Sequence, residues 1–121
     1  MALVRWITEM GMGVDVHGLD YTKAAKRAVS DALRHSSLNF FRAADKTVHD
    51  MHVEVRIGAA DPSALDLDAI AAEVPYGTVT VVGVQGGLDV EAPEGSTPAG
   101  TQDGIAIVNA AILVSFEDGE D

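Results

Sequence analysis

The sequence predicts an α+β fold: a single β-α-β-α-β-β domain over residues 1–121. Its four-stranded mixed sheet should carry two helices on one face and contribute the other face to a homotrimeric core. Residues 51–57 alternate apolar and polar side chains, as a half-buried strand does. Residues 21–33 repeat small apolar side chains with helical spacing. Residues 105–116 carry apolar side chains on both faces, so both faces of this last strand are expected to be buried.

The first half of the chain is predicted to form a strand, a helix and a second strand. The first strand covers Leu3 to Met10, and alternation places Arg5 and Ile7 on the same face. Asp20 is the expected N-cap of a helix that reaches about His35, and its alanine stripe favours close packing on the sheet. The segment 39–41 is expected to close the end of the core.

The second half is predicted to form a short helix and two strands. Asp66 should cap a helix that runs to Val74 and stops at Pro75. A third strand covers residues 78–84, and a flexible loop follows at about 89–103. The last strand, residues 105–116, leads into an acidic tail at 117–121.

The charge is distributed unevenly. All eight Lys and Arg and all four His lie at or before Arg56, and the 65 residues after it carry twelve acids. A net charge of −11 without a basic cluster argues against nucleic acid and anionic membrane as partners. The acidic half is interpreted either as a solubilising face or as a surface that meets the bases of another subunit.

Composition limits the chemistry and the compartment. The chain has no cysteine, which excludes disulfides and thiolate sites. No stretch resembles a signal peptide or reaches bilayer length, so a cytoplasmic protein is expected. Two helices cover only one face of a sheet this size, which favours a homo-oligomer, a trimer or a multiple of it.

The candidate site lies where the first strand gives way to the first helix. Here Asp15 and His17 lie between glycines and the capping Asp20, with Lys23 in the first helical turn. His17, oriented by Asp15, is the predicted proton-transfer residue, and Glu9 is a second acid or base. A cation is unfavourable at a helix N-terminus, so Lys23 is expected to face an anion or a nearby carboxylate such as Asp15 or Glu9. The predicted ligand-binding residues are Gly11, Met12, Gly13, Gly18, Thr22, Arg56, Gly86 and Gly87.

Each of these residues also has a structural interpretation. Gly11 and Gly13 can form a tight turn or a bulge, Thr22 can bond free N–H groups, and Arg56 can pair with an acid on a neighbouring strand. No metal signature is formed; Asp15 with His17 and His52 with Glu54 are weak candidate ligands. The sequence identifies no cofactor.

Two resemblances extend this interpretation. The element order is similar to the trimeric fold of the Bacillus-type chorismate mutases, which implies active sites at subunit interfaces. The arginines of that family have no counterpart in the second half of this chain, so its reaction is not carried over. The chain also resembles a small bacterial family of conserved hypothetical proteins named after a Listeria locus tag, a family without an assigned activity. The residues that carry this resemblance are Gly11-Met12-Gly13, Asp15, His17-Gly18, Asp20, Thr22 to Ala25, Arg27-Ala28, Val82, Val84 and Gly86-Gly87.

Two functions from different classes follow as hypotheses. The first is an enzyme, a hydrolase, isomerase or lyase acting on a small polar or cyclic metabolite at a subunit interface. The second is a non-catalytic homotrimer that binds a metabolite or has a structural role. The sequence leaves open which of the two is correct.

Overall fold

The computed structural model describes residues 3–34, 50–96 and 103–117. Its strands are β1 (Leu3–Asp15), β2 (His52–Ala59), β3 (Thr78–Gln85), β4 (Leu88–Glu91) and β5 (Gly104–Glu117). Its helices are α1 (Tyr21–Arg34) and the short α2 (Leu67–Ala71), which follows a 3-10 turn at Pro62–Ala64. No helix within these ranges has the length and apolar character needed to cross a bilayer.

The strands form one mixed sheet with β5 at its centre. The order is β1-β5-β2-β3, with β5 antiparallel to β1 and β2, and β2 parallel to β3. β4 pairs antiparallel with the first residues of β5, beyond the end of β2. The predicted α+β class is confirmed, and the predicted four-stranded sheet is corrected to five strands. β4 lies where residues 89–103 were expected to form only a loop.

The core lies between the sheet and the helices. Alternate residues of β2 and β5 are buried on this face, and the alanines of α1 pack against them. Two contacts hold α2 beside α1: Thr22 Oγ1 accepts a hydrogen bond from the Asp66 N–H at 2.9 Å, and Lys26 Nζ lies 4.0 Å from Glu73 Oε1. The sheet therefore has a helix face and an opposite face that no described element covers, which we call the open face.

The helix caps are confirmed. Asp20 Oδ1 accepts from the Lys23 N–H at 3.0 Å, and Asp66 Oδ1 accepts from the Ala69 N–H at 3.1 Å. α2 ends at Ala71, before the predicted Val74. The expected closing segment 39–41 and the tail beyond Glu117 lie outside the described residues.

β1 differs from the prediction in length and in register. It continues through the expected glycine loop to Asp15, so the site begins five residues later than the predicted strand end at Met10. A register shift between Arg5 and Ile7 bulges the strand. Arg5 pairs with Ser115 on the open face, whereas Ile7 pairs with Val114 on the helix face, and the predicted shared face of Arg5 and Ile7 is therefore wrong.

The last strand is buried unequally on its two faces. On the helix face every second residue from Ala106 to Phe116 is buried. On the open face Leu113 is buried, but Ile105 and Ile107 are only half-buried. The expectation that both faces are buried holds for one face within a single copy of the chain.

Candidate functional site

Asp15 is a buried carboxylate at the end of β1. The residue is 1% exposed, and its Oδ2 accepts a hydrogen bond from the Asp20 N–H at 2.9 Å. Its Oδ1 lies 3.6 Å from Lys23 Nζ and 3.9 Å from Arg27 Nη1. The expectation that a carboxylate explains Lys23 is confirmed. The Lys23 ammonium thus faces a carboxylate of the chain itself, and its side chain is 54% exposed.

Arg27 also links α1 to β1. Its Nη1 donates to the Val14 carbonyl at 2.6 Å, one residue before Asp15. The carboxylate thus joins the end of β1 to the first two turns of α1 and fixes the connection between them. This arrangement positions the segment that carries His17.

His17 extends from this connection towards a different carboxylate. Its side chain is 84% exposed, and its Nδ1 lies 3.4 Å from Asp103 Oδ2. The predicted partner Asp15 is therefore wrong, since both oxygens of Asp15 face other groups. Asp103 Oδ1 accepts from the Gly18 N–H at 2.7 Å and from the Gly104 N–H at 2.8 Å. These backbone hydrogen bonds, with His17 beside them, hold the pKa of Asp103 below its usual range.

Tyr21 and Asp89 form a second polar pair at the start of α1. The Tyr21 hydroxyl donates a hydrogen bond to Asp89 Oδ2. This bond, with burial and the charge of the carboxylate, raises the pKa of Tyr21 to about 12. The other oxygen, Asp89 Oδ1, is buried and has no hydrogen-bond partner within residues 3–34, 50–96 and 103–117. A buried acceptor without a donor is costly.

A cavity of about 560 Å³ opens beside this pair. Its walls come from the start of α1, from β4 and from the residues after β4. The lining includes Leu19, Tyr21, Asp89, Glu91, Glu94 and Asp103. Since Asp103 also contacts His17, the imidazole lies at the rim of this cavity. The carboxylates make the cavity acidic, which disfavours anions and favours molecules that present N–H groups or positive charge.

The predicted glycine loop has a packing role instead. A Cβ on Gly11 would lie 2.2 Å from the Ala28 carbonyl oxygen, and one on Gly13 would lie 2.0 Å from the Ala24 carbonyl oxygen. α1 therefore occupies the space that was assigned to a ligand at these two glycines. The same strand turns Met12 to the open face, where its side chain is exposed.

The glycines after β3 also pack tightly against backbone. Gly87 has a φ of +65°, and a Cβ there would lie 2.4 Å from the Ile107 carbonyl oxygen. Gly86 lies against Gly58, with 3.1 Å between its ideal Cβ and the Gly58 Cα. These contacts allow the chain to leave β3 and enter β4 beside β5.

The remaining predicted residues are spread over the sheet. Glu9 lies within β1, six residues before Asp15, which is ~20 Å along an extended strand, so it does not join this site. Thr22 bonds to Asp66, as described above. Arg56 lies on the open face, where its Nε contacts Glu54.

The weak metal candidates do not come together. Asp15 faces α1, whereas His52 and Glu54 lie on the open face at the other end of the sheet. His52 Nε2 instead lies 3.9 Å from Glu117 Oε1. Among the described residues, no group of three or more His, Cys, Asp and Glu side chains is placed to hold a metal ion.

Three residues of the cavity were missed at the sequence level. Tyr21 was assigned to the apolar stripe of α1, and Asp89 and Asp103 were assigned to the acidic loop. The alternation of Leu88, Asp89 and Val90 could have indicated a short strand with a polar residue turned inward. No local pattern indicates that Asp103 meets His17, because 86 residues separate them.

Comparisons with known proteins give one family and a similar solved structure. A search of curated proteins finds no match. The chain is similar to a solved structure described as an FtsZ-like protein of unknown function from Nostoc punctiforme PCC 73102. The two chains are 32% identical and superpose with a TM-score of 0.85, over 98% of this chain and 99% of the other. The family described as "Conserved hypothetical protein (Lin0512_fam)" matches residues 5–114, and the chain belongs to this family.

Proposed function

We propose that the chain is a small-molecule enzyme that binds a polar or cyclic, nitrogen-containing metabolite in the cavity beside Tyr21 and Asp89. The observation that carries this proposal is the buried Asp89 Oδ1, which lacks a donor. A ring N–H or an amide N–H of a ligand would supply that donor. The neighbouring Tyr21 hydroxyl keeps its proton at neutral pH and fixes the other carboxylate oxygen in place.

His17 and Asp103 provide the acid–base chemistry in this proposal. A carboxylate beside Nδ1 orients the imidazole and leaves Nε2 free to exchange a proton with a molecule at the cavity rim. Proton transfer at a carbon or at an amide is the step shared by hydrolases, isomerases and lyases. This arrangement replaces the predicted set of His17, Asp15, Lys23 and Glu9 as the proposed reacting groups.

The second candidate is a protein that binds the same ligand without converting it. The exposure of His17 favours this alternative, because an imidazole that is 84% exposed has little of the enclosure that strengthens catalysis. In that case the contact of His17 with Asp103 would stabilise the fold or help to select the ligand. Both candidates use the same cavity, and turnover distinguishes them.

A thermal-shift screen tests the binding proposal. Uracil, hydantoin and xanthine present ring N–H groups, and a ligand at 100 times its Kd adds about 2.7 kcal/mol to the free energy of unfolding. We expect a rise in Tm for wild type that is lost in Asp89→Asn and retained in Asp68→Asn, which makes the same change of charge at an exposed residue of α2 outside the cavity. Equal rises in both variants would place the ligand elsewhere.

Turnover of the compound that binds then separates the two candidates. In the enzyme, His17→Gln should abolish conversion and leave the thermal shift largely intact. If wild type binds the compound and does not convert it, the non-catalytic candidate is the better one.

We also propose that the open face packs against further copies of the chain in a homotrimer. Large apolar side chains of this face are exposed in a single copy, which is unfavourable for a face in water. They are Met10, Met12, Val82, Val84, Leu88 and Val90. The corresponding test is given at the end of the Discussion.

A further inference from the structure

The open face has a polar end, built by side chains that neighbouring strands bring into line. Strand register sets Arg5 of β1 beside Ser115 of β5, and Ser115 beside His52 of β2. Thr78 of β3 follows His52 in the same row. Arg5 belongs to this row only because of the bulge that precedes Ile7. Four strands therefore contribute polar side chains to one end of this face.

A cavity of about 230 Å³ lies over this row and the next one. Arg56 lines it together with Arg5, and Thr80 lines it beside Thr78. This cavity is separate from the acidic one, because its residues face away from the helices whereas Asp89 pairs with Ala106 on the helix face. Leu3 and Leu113 also line it, so its lining mixes polar and apolar side chains.

Several donors in this cavity have no partner among the residues that the structure describes. Arg5 makes no ion pair or side-chain hydrogen bond within the described part of the chain, and the same is true of the hydroxyls of Thr78, Thr80 and Ser115. Glu54 contacts Arg56 at Nε, which leaves the terminal guanidinium nitrogens for another acceptor. The cavity thus offers donors in excess of its acceptors.

The charges at this end of the open face nearly balance, in contrast to the chain as a whole. Arg5, Arg56 and Glu54 line the cavity, and Glu117 lies beside it, paired with Leu3 and 3.9 Å from His52 Nε2. In a chain of net charge −11, an end with two arginines for two glutamates is less hostile to an anion than the average surface.

We propose that this cavity binds a small oxyanion, the carboxylate or phosphate group of a small molecule, through the guanidinium groups of Arg5 and Arg56. A guanidinium presents parallel N–H groups that match two oxygens of either anion. The hydroxyls of Thr78, Thr80 and Ser115 donate to the oxygens that the arginines leave. This site does not depend on the proposed function of the acidic cavity.

Isothermal titration of the full chain at low ionic strength, with inorganic phosphate and with malonate, tests this proposal. We expect wild type to bind at least one of them, and Arg5→Gln to lower the affinity at least tenfold. Arg5→Lys keeps the charge and loses the forked geometry, so it should lie between the two. Arg34→Gln is the matched control. It removes one charge from an exposed side chain at the end of α1, away from the cavity, and should leave the affinity unchanged. Binding of phosphate alone, or of malonate alone, identifies which oxyanion the site takes.

Three outcomes would overturn the proposal. The first is that neither anion binds. The second is that Arg5→Gln and Arg34→Gln lower the affinity equally, as a non-specific charge effect would. The third is that Arg5→Gln changes the oligomer mass in light scattering and leaves the affinity unchanged, which assigns Arg5 to a protein interface. Melting curves of each variant exclude unfolding as the cause, since Arg5 is exposed and its replacement should preserve the fold.

Discussion

Two aspartates at the start of α1 show how one residue type serves different roles. Asp15 has a backbone donor on one oxygen and two cations near the other, so its charge is compensated within the fold. Asp89 has a donor on one oxygen only. Full compensation is typical of a structural carboxylate, whereas a buried oxygen without a donor calls for a further partner such as a water, an ion or a ligand.

The Tyr21 hydroxyl should ionise only at high pH, because deprotonation would break its hydrogen bond to Asp89. Its pKa is raised to about 12 from 10.0. The stabilisation from this bond is therefore complete below pH 10 and is lost as the pH rises through about 12. Absorbance titration at 295 nm, in a Tyr76→Phe background because burial also raises the pKa of Tyr76, should show this late transition. Asp89→Asn should move it back towards 10, and an unchanged transition would mean that the bond does not control Tyr21.

Asp15→Ala should destabilise the chain more than Lys23→Ala. The aspartate substitution removes an acceptor from the Asp20 N–H and an anion from two cations, at a cost of about 1–3 kcal/mol. Lys23 is more than half exposed, and Arg27 remains near Asp15, so its loss should cost less than about 1 kcal/mol. Urea denaturation measures both values. The reverse ranking would mean that Lys23 has a partner other than Asp15.

At the scale of elements, local patterns predicted the helix caps and the two faces of β2 well. Asp20 and Asp66 cap their helices as expected, because capping depends on a few adjacent residues. The bulge after Arg5 was not predictable, since it depends on how β1 pairs with β5, a contact between the two ends of the chain. β4 was not predicted for the same reason, since its four residues are stabilised by their pairing with β5.

The helix–strand contact of α1 with β1 gives the sharpest test at this scale. Gly13→Ala would place a Cβ 2.0 Å from one backbone atom of α1 and 2.4 Å from another, so α1 must move away from the sheet. We expect a loss of about 3 kcal/mol or more in the free energy of unfolding. Gly58→Ala is the matched control in a neighbouring strand, where the nearest atom would be 3.5 Å away. Equal and small effects would show that the packing is looser than the distances indicate.

At the scale of the whole molecule, the proposed site combines segments that lie far apart in the chain. The turn between β1 and α1 does carry His17 at the rim of a cavity. The other walls come from β4, the residues after it and Asp103, which precedes β5; they approach because β4 pairs with β5 at the centre of the sheet. A pattern within one segment cannot reveal a residue that arrives from 86 positions away, and this is why Asp103 replaced Asp15 as the partner of His17.

The exposed apolar side chains of the open face lead to a testable prediction about assembly. Met10 is 72% exposed on that face, so a charge there is hydrated in a single copy and buried only if another copy covers it. Met10→Asp should therefore leave the fold of one chain intact and abolish assembly. Light scattering should give three times the 12.6 kDa chain mass for wild type and the mass of a single chain for the variant.

A matched control separates this effect from the general effect of removing an exposed apolar side chain. Leu67 is 39% exposed at the first turn of α2, away from the open face, and Leu67→Asp should keep the oligomer mass. A wild-type protein that scatters as a single chain, or a Met10→Asp variant with unchanged mass, would contradict the homotrimer. The exposed methionines and valines would then remain in contact with water. Any ligand would have to be bound by the residues of a single copy.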